Sequence, residues 1–256
     1  MKILTLAASS SGNSTFIQSH DGKASILIDA GITLKEINKK VGQYKIDATF
    51  LTHDHSDHIK SIGPLGRKRK KMPIYMHEWI FNKHQSKFKN CKIEFMNPGD
   101  TVTVNNTLEI KNFSTKHDAT YTYGFIIKDL SVNKTLCYLT DTGTITGLMR
   151  AHMKDADVYF IEADYDEELL RDYEEYDDFL KERISSDYGH LGNRQTLDAL
   201  EAMGIDKASH IIFTHLSVRT NTPEKVLELA IERFPNYSGK MLVAPVIDFI
   251  DILETV

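Results

Sequence analysis

Short apolar runs of four to seven residues, each broken by Gly, Asn, Asp or Pro, fill the first half of the chain: KILTL, STFIQ, SILID, ATFLT, PIYM, KIEFM, TLEIKNF, YGFIIK and TLCYLTD. Runs of this length between turn formers predict β-strands. Apolar positions at helical spacing lie between them, over Leu34–Val41, Glu78–Phe88 and Thr146–His152. The second half alternates. Helices are expected over Asp166–Ile184, Asn193–Met203 and Pro223–Phe234, and strands over DVYFIEAD, HIIFTHL and KMLVAPVIDFI. The helix from Pro223 is the best marked, with Thr222 as N-cap, Pro223 at the first position and Glu224 in the first turn. Strands early, then strands and helices in turn, predict an α/β architecture in which helices cover sheets. No linker-like, repeated or low-complexity tract interrupts the pattern, so one domain over residues 1–256 is expected.

Composition narrows this picture only a little. At 41% hydrophobic and 26% charged residues, the chain can bury a sizeable core. A net charge of −5 supplies no global basic field for a nucleic-acid partner, though charge can still be concentrated locally. Cys91 and Cys137 are the only cysteines, which argues against a disulfide framework and for a reducing compartment. The apolar run Ile3–Ala8 is too short for a signal-peptide core, and no window approaches the roughly 18 apolar residues of a membrane span. A cytoplasmic protein without membrane contact is expected. Two charge runs stand out, RKRKK at Arg67–Lys71 and DYEEYDD at Asp172–Asp178, the latter expected on a helix. Either can be a solvated face. The basic run, close in sequence to the histidines described next, can also meet a phosphate backbone beside an active site.

The densest chemistry is in THDHSDH, Thr52–His58, directly after the apolar run ATFL. A chain leaving a strand in extended form points His53 and His55 to one side. A helix beginning near Ser56 would place Asp57 and His58 in its first turn, facing a second ion. Imidazole and carboxylate donors suit Zn²⁺, Fe or Mn²⁺. Asp54 would point away from such ions and is expected outside the ligand set.

His-x-His-x-Asp-His after a strand resembles the hallmark of the metallo-β-lactamase superfamily. ILIDAG, with Asp29 and Gly31, matches the short strand-and-loop segment that precedes the histidines in that superfamily. His117 in STKHDAT, Asp141 in CYLTDTG and His215 in IIFTHLS follow in the expected order, so the resemblance runs from about residue 2 to about residue 247. It implies an αββα sandwich, two mixed sheets flanked by helices, holding two divalent metal ions (Zn, Mn or Fe). His53, His55 and His117 would hold one ion, Asp57, His58 and His215 the other, and Asp141 would bridge them. Ions roughly 3.5–4 Å apart would acidify a shared water. Asp57 and His58, commonly altered in the redox branch of the superfamily, are intact here, which points to hydrolysis.

LAASSSGNSTFI resembles the start of a narrower group, the YycJ/WalJ-like members, through Ser11, Gly12, Asn13 and Ser14. The turn is either structural, since Gly and Asn tolerate positive φ, or a phosphate cradle of hydroxyls and free N–H groups. On the second alternative Ser11, Asn13, Ser14, His190 and Asn193 are candidate phosphate contacts. FIEADYDEELL resembles that group's Glu-Ala-Asn-His-Asp segment, and SDYGHLGN its Gly-His-Leu-Ser-Asn loop. Phosphodiesterases of the superfamily carry a similar Glu and His. The resemblance therefore implies that Glu162 keeps His190 protonated as an acid for the leaving oxygen, while Asp141 orients the attacking hydroxide. Asp164-Tyr165 replaces the usual Asn-His, and Gly192 a usual Ser, so one contact is lost or passed to Tyr165. His77, His84, His152 and His210 lack motif support and are expected to be ordinary surface or core residues.

The function this implies is a dinuclear phosphodiesterase, a 5′-exonuclease-like nuclease with DNA as its nucleic-acid substrate. The chain lacks the long inserted domain with which larger nucleases of the superfamily clamp RNA, so grip would come from loops or from a homo-oligomer. Two alternatives stay open. One is a small-substrate hydrolase: a glyoxalase II-type thioesterase, a lactonase or a small phosphodiesterase. The other is a metal-binding regulator without turnover.

Overall fold

Each apolar run becomes a strand because its alternate residues are claimed by different cores. In a computed structural model, which describes residues 1–245 and 248–253, the first half forms β1 (Lys2–Ser9), β2 (Gly12–Gln18), β3 (Ser25–Ile28), α1 (Leu34–Val41), β4 (Ala48–Phe50), α2 (Ser56–Ile59), α3 (Ile62–Lys68), β5 (Pro73–Met76), α4 (Glu78–Lys83), α5 (Gln85–Phe88) and β6 (Lys92–Phe95). Next come β7 (Thr101–Val104), β8 (Leu108–Ser114), β9 (Tyr123–Asp129), β10 (Lys134–Leu139), α6 (Gly147–Met153), β11 (Val158–Glu162), α7 (Glu167–Asp172), α8 (Asp178–Ser185) and α9 (Asn193–Met203). The chain continues with β12 (His210–Thr214), α10 (Pro223–Arg233), β13 (Lys240–Val243) and β14 (Ile250–Asp251).

One sheet has the order β14-β1-β2-β3-β4-β5-β6, the other β13-β12-β11-β10-β9-β8-β7. Each is mixed. The first is antiparallel from β14 to β3 and parallel from β3 to β6. The second is antiparallel from β7 to β10 and parallel from β10 to β13. Phe50, Ile26 and Ile28 from one sheet meet Phe125, Tyr138 and Phe160 from the other in a central core. The intervening residues face outward: Leu27 and Leu51 lie under α1 and its neighbours, and Cys137 and Ile161 under α9 and α10. Three apolar layers thus separate helix, sheet, sheet and helix, the expected sandwich.

The expected elements needed four corrections. KMLVAPVIDFI is two strands: β13 pairs with β12 and β14 with β1 in the opposite sheet; Val246 and Ile247 of that run lie outside the described residues. Asp166–Ile184 splits because Asp166 and Asp177 each turn a carboxylate back onto helix N–H groups, capping α7 and α8 separately. DYEEYDD is accordingly the link between two short helices. Glu78–Phe88 breaks at His84, which ends α4 and starts α5. The strand β7 and the helix α3 were not expected, because TVTV has little apolar content and the IGPLG of α3 reads as a turn. Pro64 stands in the first turn of α3, where a missing N–H costs little. Among the described residues no helix is long and apolar enough to cross a membrane.

Candidate metal centre

The strands end where the chemistry begins. Asp29 follows β3, His53 follows β4, Asp141 follows β10 and His215 follows β12. Asp29, Asp141 and His215 have φ of 58°, 54° and 57°. Left-handed backbone is uncommon in residues other than Gly and costs on the order of 1–3 kcal/mol each, so the packing has to impose it. The kink turns each side chain off its strand and into one buried cluster. After β4 the chain stays extended through His55 and then enters α2, which carries Asp57 and His58. The loop after β3 is stapled over that helix: Ala30 N–H donates to the His58 carbonyl and Ser61 N–H to the Ala30 carbonyl. Gly31 lies so close that a methyl group there would overlap the Asp57 carbonyl.

Donor atoms of His53, His55 and His117 gather within 4.8 Å of one another, as do those of Asp57, His58 and His215. Asp141 stands between the groups. Its Oδ2 is 3.4 Å from His58 Nε2, and its Oδ1 is 3.3 Å from His215 Nε2 and 3.9 Å from His117 Nε2. The far ring nitrogens are held by protein: His58 Nδ1 is 2.8 Å from Asp29 Oδ2, His117 Nδ1 2.8 Å from the Gly189 carbonyl, and His215 Nδ1 3.1 Å from Glu162 Oε1. Such partners fix which nitrogen faces inward and raise its basicity. Nε2 of His53 and of His215 are buried without any hydrogen-bond partner, as expected of atoms reserved for a cation.

The electrostatics agree. Burial, followed by the neighbouring His58, holds His53 well below the ordinary histidine range, and burial likewise lowers His117, so both are neutral donors at pH 7. Burial opposes charge on His58 and His215 as well, yet Asp141, with Asp29 at His58 and Glu162 at His215, raises both. Asp141, although buried, is held well below the carboxylate range by the surrounding imidazoles, His215 and His58 first. The centre is a low-dielectric pocket that favours positive charge, and its donors suit divalent ions that prefer N and O ligands.

A family model described as a beta-lactamase superfamily domain matches residues 24–216. The chain belongs to the beta-lactamase superfamily. Exodeoxyribonuclease WalJ of Streptococcus pneumoniae serotype 2 (strain D39 / NCTC 7466) is 35% identical over 237 residues, covering 87% of this chain and 84% of that protein. Exodeoxyribonuclease YycJ of Bacillus anthracis is 30% identical over 227 residues, covering 86% and 83%. The crystal structure of the metallo-beta-lactamase fold protein YhfI from Bacillus subtilis superposes with a TM-score of 0.74 across 97% of this chain and 98% of its own, at 22% identity, which speaks for the fold alone. This superfamily member is therefore a metal-dependent hydrolase, similar to the WalJ and YycJ proteins, in the αββα sandwich expected.

Beside this His/Asp cluster, Glu162 Oε1 is 2.7 Å from His190 Nδ1. The carboxylate is fully buried at the end of β11, and its other oxygen accepts from Thr142 N–H at 2.8 Å. Although burial works against it, Glu162 pushes His190 up to about 10, and His190 in turn keeps Glu162 below the usual carboxylate range. Asp164 Oδ2 is 3.6 Å from the same imidazole nitrogen, and burial pushes this carboxyl up to about 6. Tyr165 takes over no contact here: its hydroxyl donates to Gln195 Oε1, away from the His/Asp cluster. A β-carbon on Gly192 would sit 2.7 Å from Glu167 Oε1 and 2.8 Å from the Tyr165 ring. The Glu167 carboxylate and the ring of Tyr165 together fill the space that a side chain on residue 192 would need.

Of the candidate phosphate contacts, only Ser11 and His190 keep an exposed edge. Ser14 is buried and donates to the Asp29 carbonyl, Asn193 is buried against Asn221, and Asn13 is buried with its amide 3.0 Å from Asp57 Oδ2 and 2.9 Å from His58 Nε2. Ser14 and Asn193 are committed to these buried partners, and the Asn13 amide lies on the inward side of His58, beside the same Nε2 that faces Asp141. The basic run is also displaced from its expected place. β4 and β5 are parallel, and Lys68–Lys71 precede β5, so the run lies at the end of the strands away from the His/Asp cluster.

Two positioning residues had no sequence signal of their own role. Asp29 accepts from Thr52 N–H at 2.8 Å and Thr52 Oγ1 at 2.7 Å while facing His58. Asp54, outside the ligand clusters, accepts from Thr120 N–H at 2.9 Å, Thr120 Oγ1 at 2.8 Å and Lys83 Nζ at 2.7 Å, with His84 Nε2 at 2.8 Å. His84 thus supports the site. His77 caps α4 and stacks on Tyr121, His152 stacks on Phe113, and His210 is buried beside Ser209, as ordinary residues do.

Proposed function

We propose that this chain is a phosphodiesterase that works with two divalent metal ions and degrades DNA from a 5′ end. The observation that carries the reading is the buried Glu162–His190 pair at 2.7 Å, placed against Asp141 of the ligand cluster. A thioester hydrolase needs no such acid, because a thiolate is a much weaker base than a nucleotide alkoxide and departs unprotonated. His53, His55 and His117 would hold one ion and Asp57, His58 and His215 the other, with Asp141 shared. When bound, the ions neutralise phosphoryl charge and make a nucleophile available near neutral pH. His190, its Nδ1 facing Glu162, keeps its outer edge toward solvent and hands its proton to the departing oxygen. Glu162 serves both halves of the reaction, since it also faces His215 Nδ1. The name exodeoxyribonuclease carried by WalJ and YycJ supports DNA as the substrate.

The test incubates purified protein with Mn²⁺, Zn²⁺ or Fe²⁺ and end-labelled DNA and RNA, with bis(p-nitrophenyl) phosphate and an Asp57→Ala control alongside. Shortening of DNA from the 5′ end that Asp57→Ala abolishes is the expected result. Absence of phosphodiester cleavage with every metal, beside robust thioester turnover, overturns the proposal.

A further inference from the structure

The basic run lines a second concave site that the metal centre does not use. A cavity of about 680 Å³ opens where β4 and β5 begin, closed on its far side by Val104 at the end of β7 and by Asn105 after it. Ala48 in its wall precedes His53 by five residues, which at ~3.3 Å per extended residue is roughly 17 Å from the metal ligands. The floor of the cavity is apolar: Ile46, Met72 and Val104 are buried there, and Tyr75 is held rigid by stacking on Phe50 at 4.8 Å and 11°. Its rim carries five cations, Lys45, Lys68, Arg69, Lys70 and Lys71, against one carboxylate, Asp47. Asp47 is taken by Lys45 and by the Ser25 N–H, and Arg69 donates to the Tyr44 carbonyl. The ammonium groups of Lys68, Lys70 and Lys71 have no ion-pair or hydrogen-bond partner among the described residues.

Three unpaired ammonium groups over an apolar, aromatic floor repel one another until an anion joins them. We propose that this cavity binds a nucleotide unit, with phosphate against Lys68, Lys70 and Lys71 and the base against Met72 and Tyr75. The volume is that of a pocket for a ligand of this size. A lipid surface fits poorly, because the apolar side chains are sunk below the lysines and do not protrude. The same chemistry comes from a free nucleotide or from one nucleotide of a single strand, where phosphates track cations and bases stack on aromatics. The proposal is independent of what the metal centre hydrolyses.

Fluorescence anisotropy on the full chain separates the outcomes, using labelled ADP and a labelled short oligothymidylate with phosphorothioate linkages. Binding of either probe, weakened at least tenfold in Lys68→Gln/Lys70→Gln/Lys71→Gln at unchanged melting temperature, is the expected result. ADP alone identifies a free nucleotide as the ligand, and the oligonucleotide alone identifies a strand. For a strand, loss of three phosphate contacts should flatten the dependence of log K on log salt by about two. Tyr75→Phe, which keeps the ring, should bind like wild type, and the lysine-dependent part of the binding should persist in the presence of a metal chelator, which places the site away from the metal centre. Equal binding by wild type and the triple variant overturns the proposal, as does loss of the lysine-dependent binding in chelator. Equally tight binding of a labelled polyglutamate peptide also overturns it, since that would mark a surface for acidic protein.

Discussion

Asp54→Asn tests whether the ligand turn is held from outside the metal set. The carboxylate side chain is fully buried and joins three segments: the turn that carries His53 and His55, α4 with its successor His84, and the Thr120 loop just beyond His117. Those donors, led by Lys83 Nζ, hold Asp54 far below the usual carboxylate range against the cost of its burial. Asparagine keeps one oxygen for the Thr120 N–H, but presents an NH₂ group to Lys83 Nζ, a donor facing a donor. A charge-assisted bond is worth about 1.5–3 kcal/mol. Lys83 is 55% exposed and regains water, while His84 can accept from the new amide by changing tautomer. The net loss should be about 2 kcal/mol, which for a chain of this size lowers Tm by about 4–8 °C. Because the Thr120 loop leads from His117, affinity for Zn²⁺ or Mn²⁺ should fall on the order of 10- to 100-fold. Urea unfolding of the metal-free protein and metal titration against a chromophoric chelator measure the two effects. A variant within about 0.5 kcal/mol of wild type that binds metal as tightly would refute the reasoning.

Asp164→Asn removes a carboxyl that burial pushes up to about 6. A raised acid destabilises the folded state once it must ionise, so the variant should gain up to about 3 kcal/mol above pH 6 and nothing near pH 3.5; unfolding curves that stay parallel across this range would contradict it. Glu162→Gln removes the main group that holds His190 up to about 10. The proton donor is then lost as pH rises from near neutral instead of from near 10, so the alkaline limb of kcat on DNA should move down by more than one pH unit, while bis(p-nitrophenyl) phosphate, with its good leaving group, loses far less. The pair's own contribution to stability, full below about pH 6.5, should fade as pH rises through about 10. Gly192→Ser should cost about 1–3 kcal/mol by overpacking the Glu167 carboxylate and the Tyr165 ring, and Tyr165→His should recover part of that in the double variant, as urea unfolding would measure.

What was legible in the chain was chemistry packed into short spans. THDHSDH could be read because imidazole and carboxylate are good ligand donors, and because strand and helix periods dictate which of them point together. Asp141 and His215 each follow an apolar strand, so their place at its end was also visible. Roles set by distant partners were not. Nothing local ties Asp54 to Thr120, 66 positions away, or shows that Tyr165 fills the space beside Gly192. Closeness in sequence misplaced the basic run, since α3 carries the chain back past the start of β5 before RKRKK ends. The break inside Asp166–Ile184 was readable from Asp166 and Asp177, residues better suited to caps than to helix interiors. β14 was hidden because its partner is the first strand of the chain.

The central claim, two metal ions cutting a phosphodiester, is tested most directly by titrating chelated protein with Mn²⁺ while following nucleotide release from 5′-end-labelled single-stranded DNA. The account predicts that release rises to a plateau at two ions per chain and that Asp57→Ala never reaches it. A plateau at one ion, or no release at any ratio from a protein that binds both ions, would contradict it.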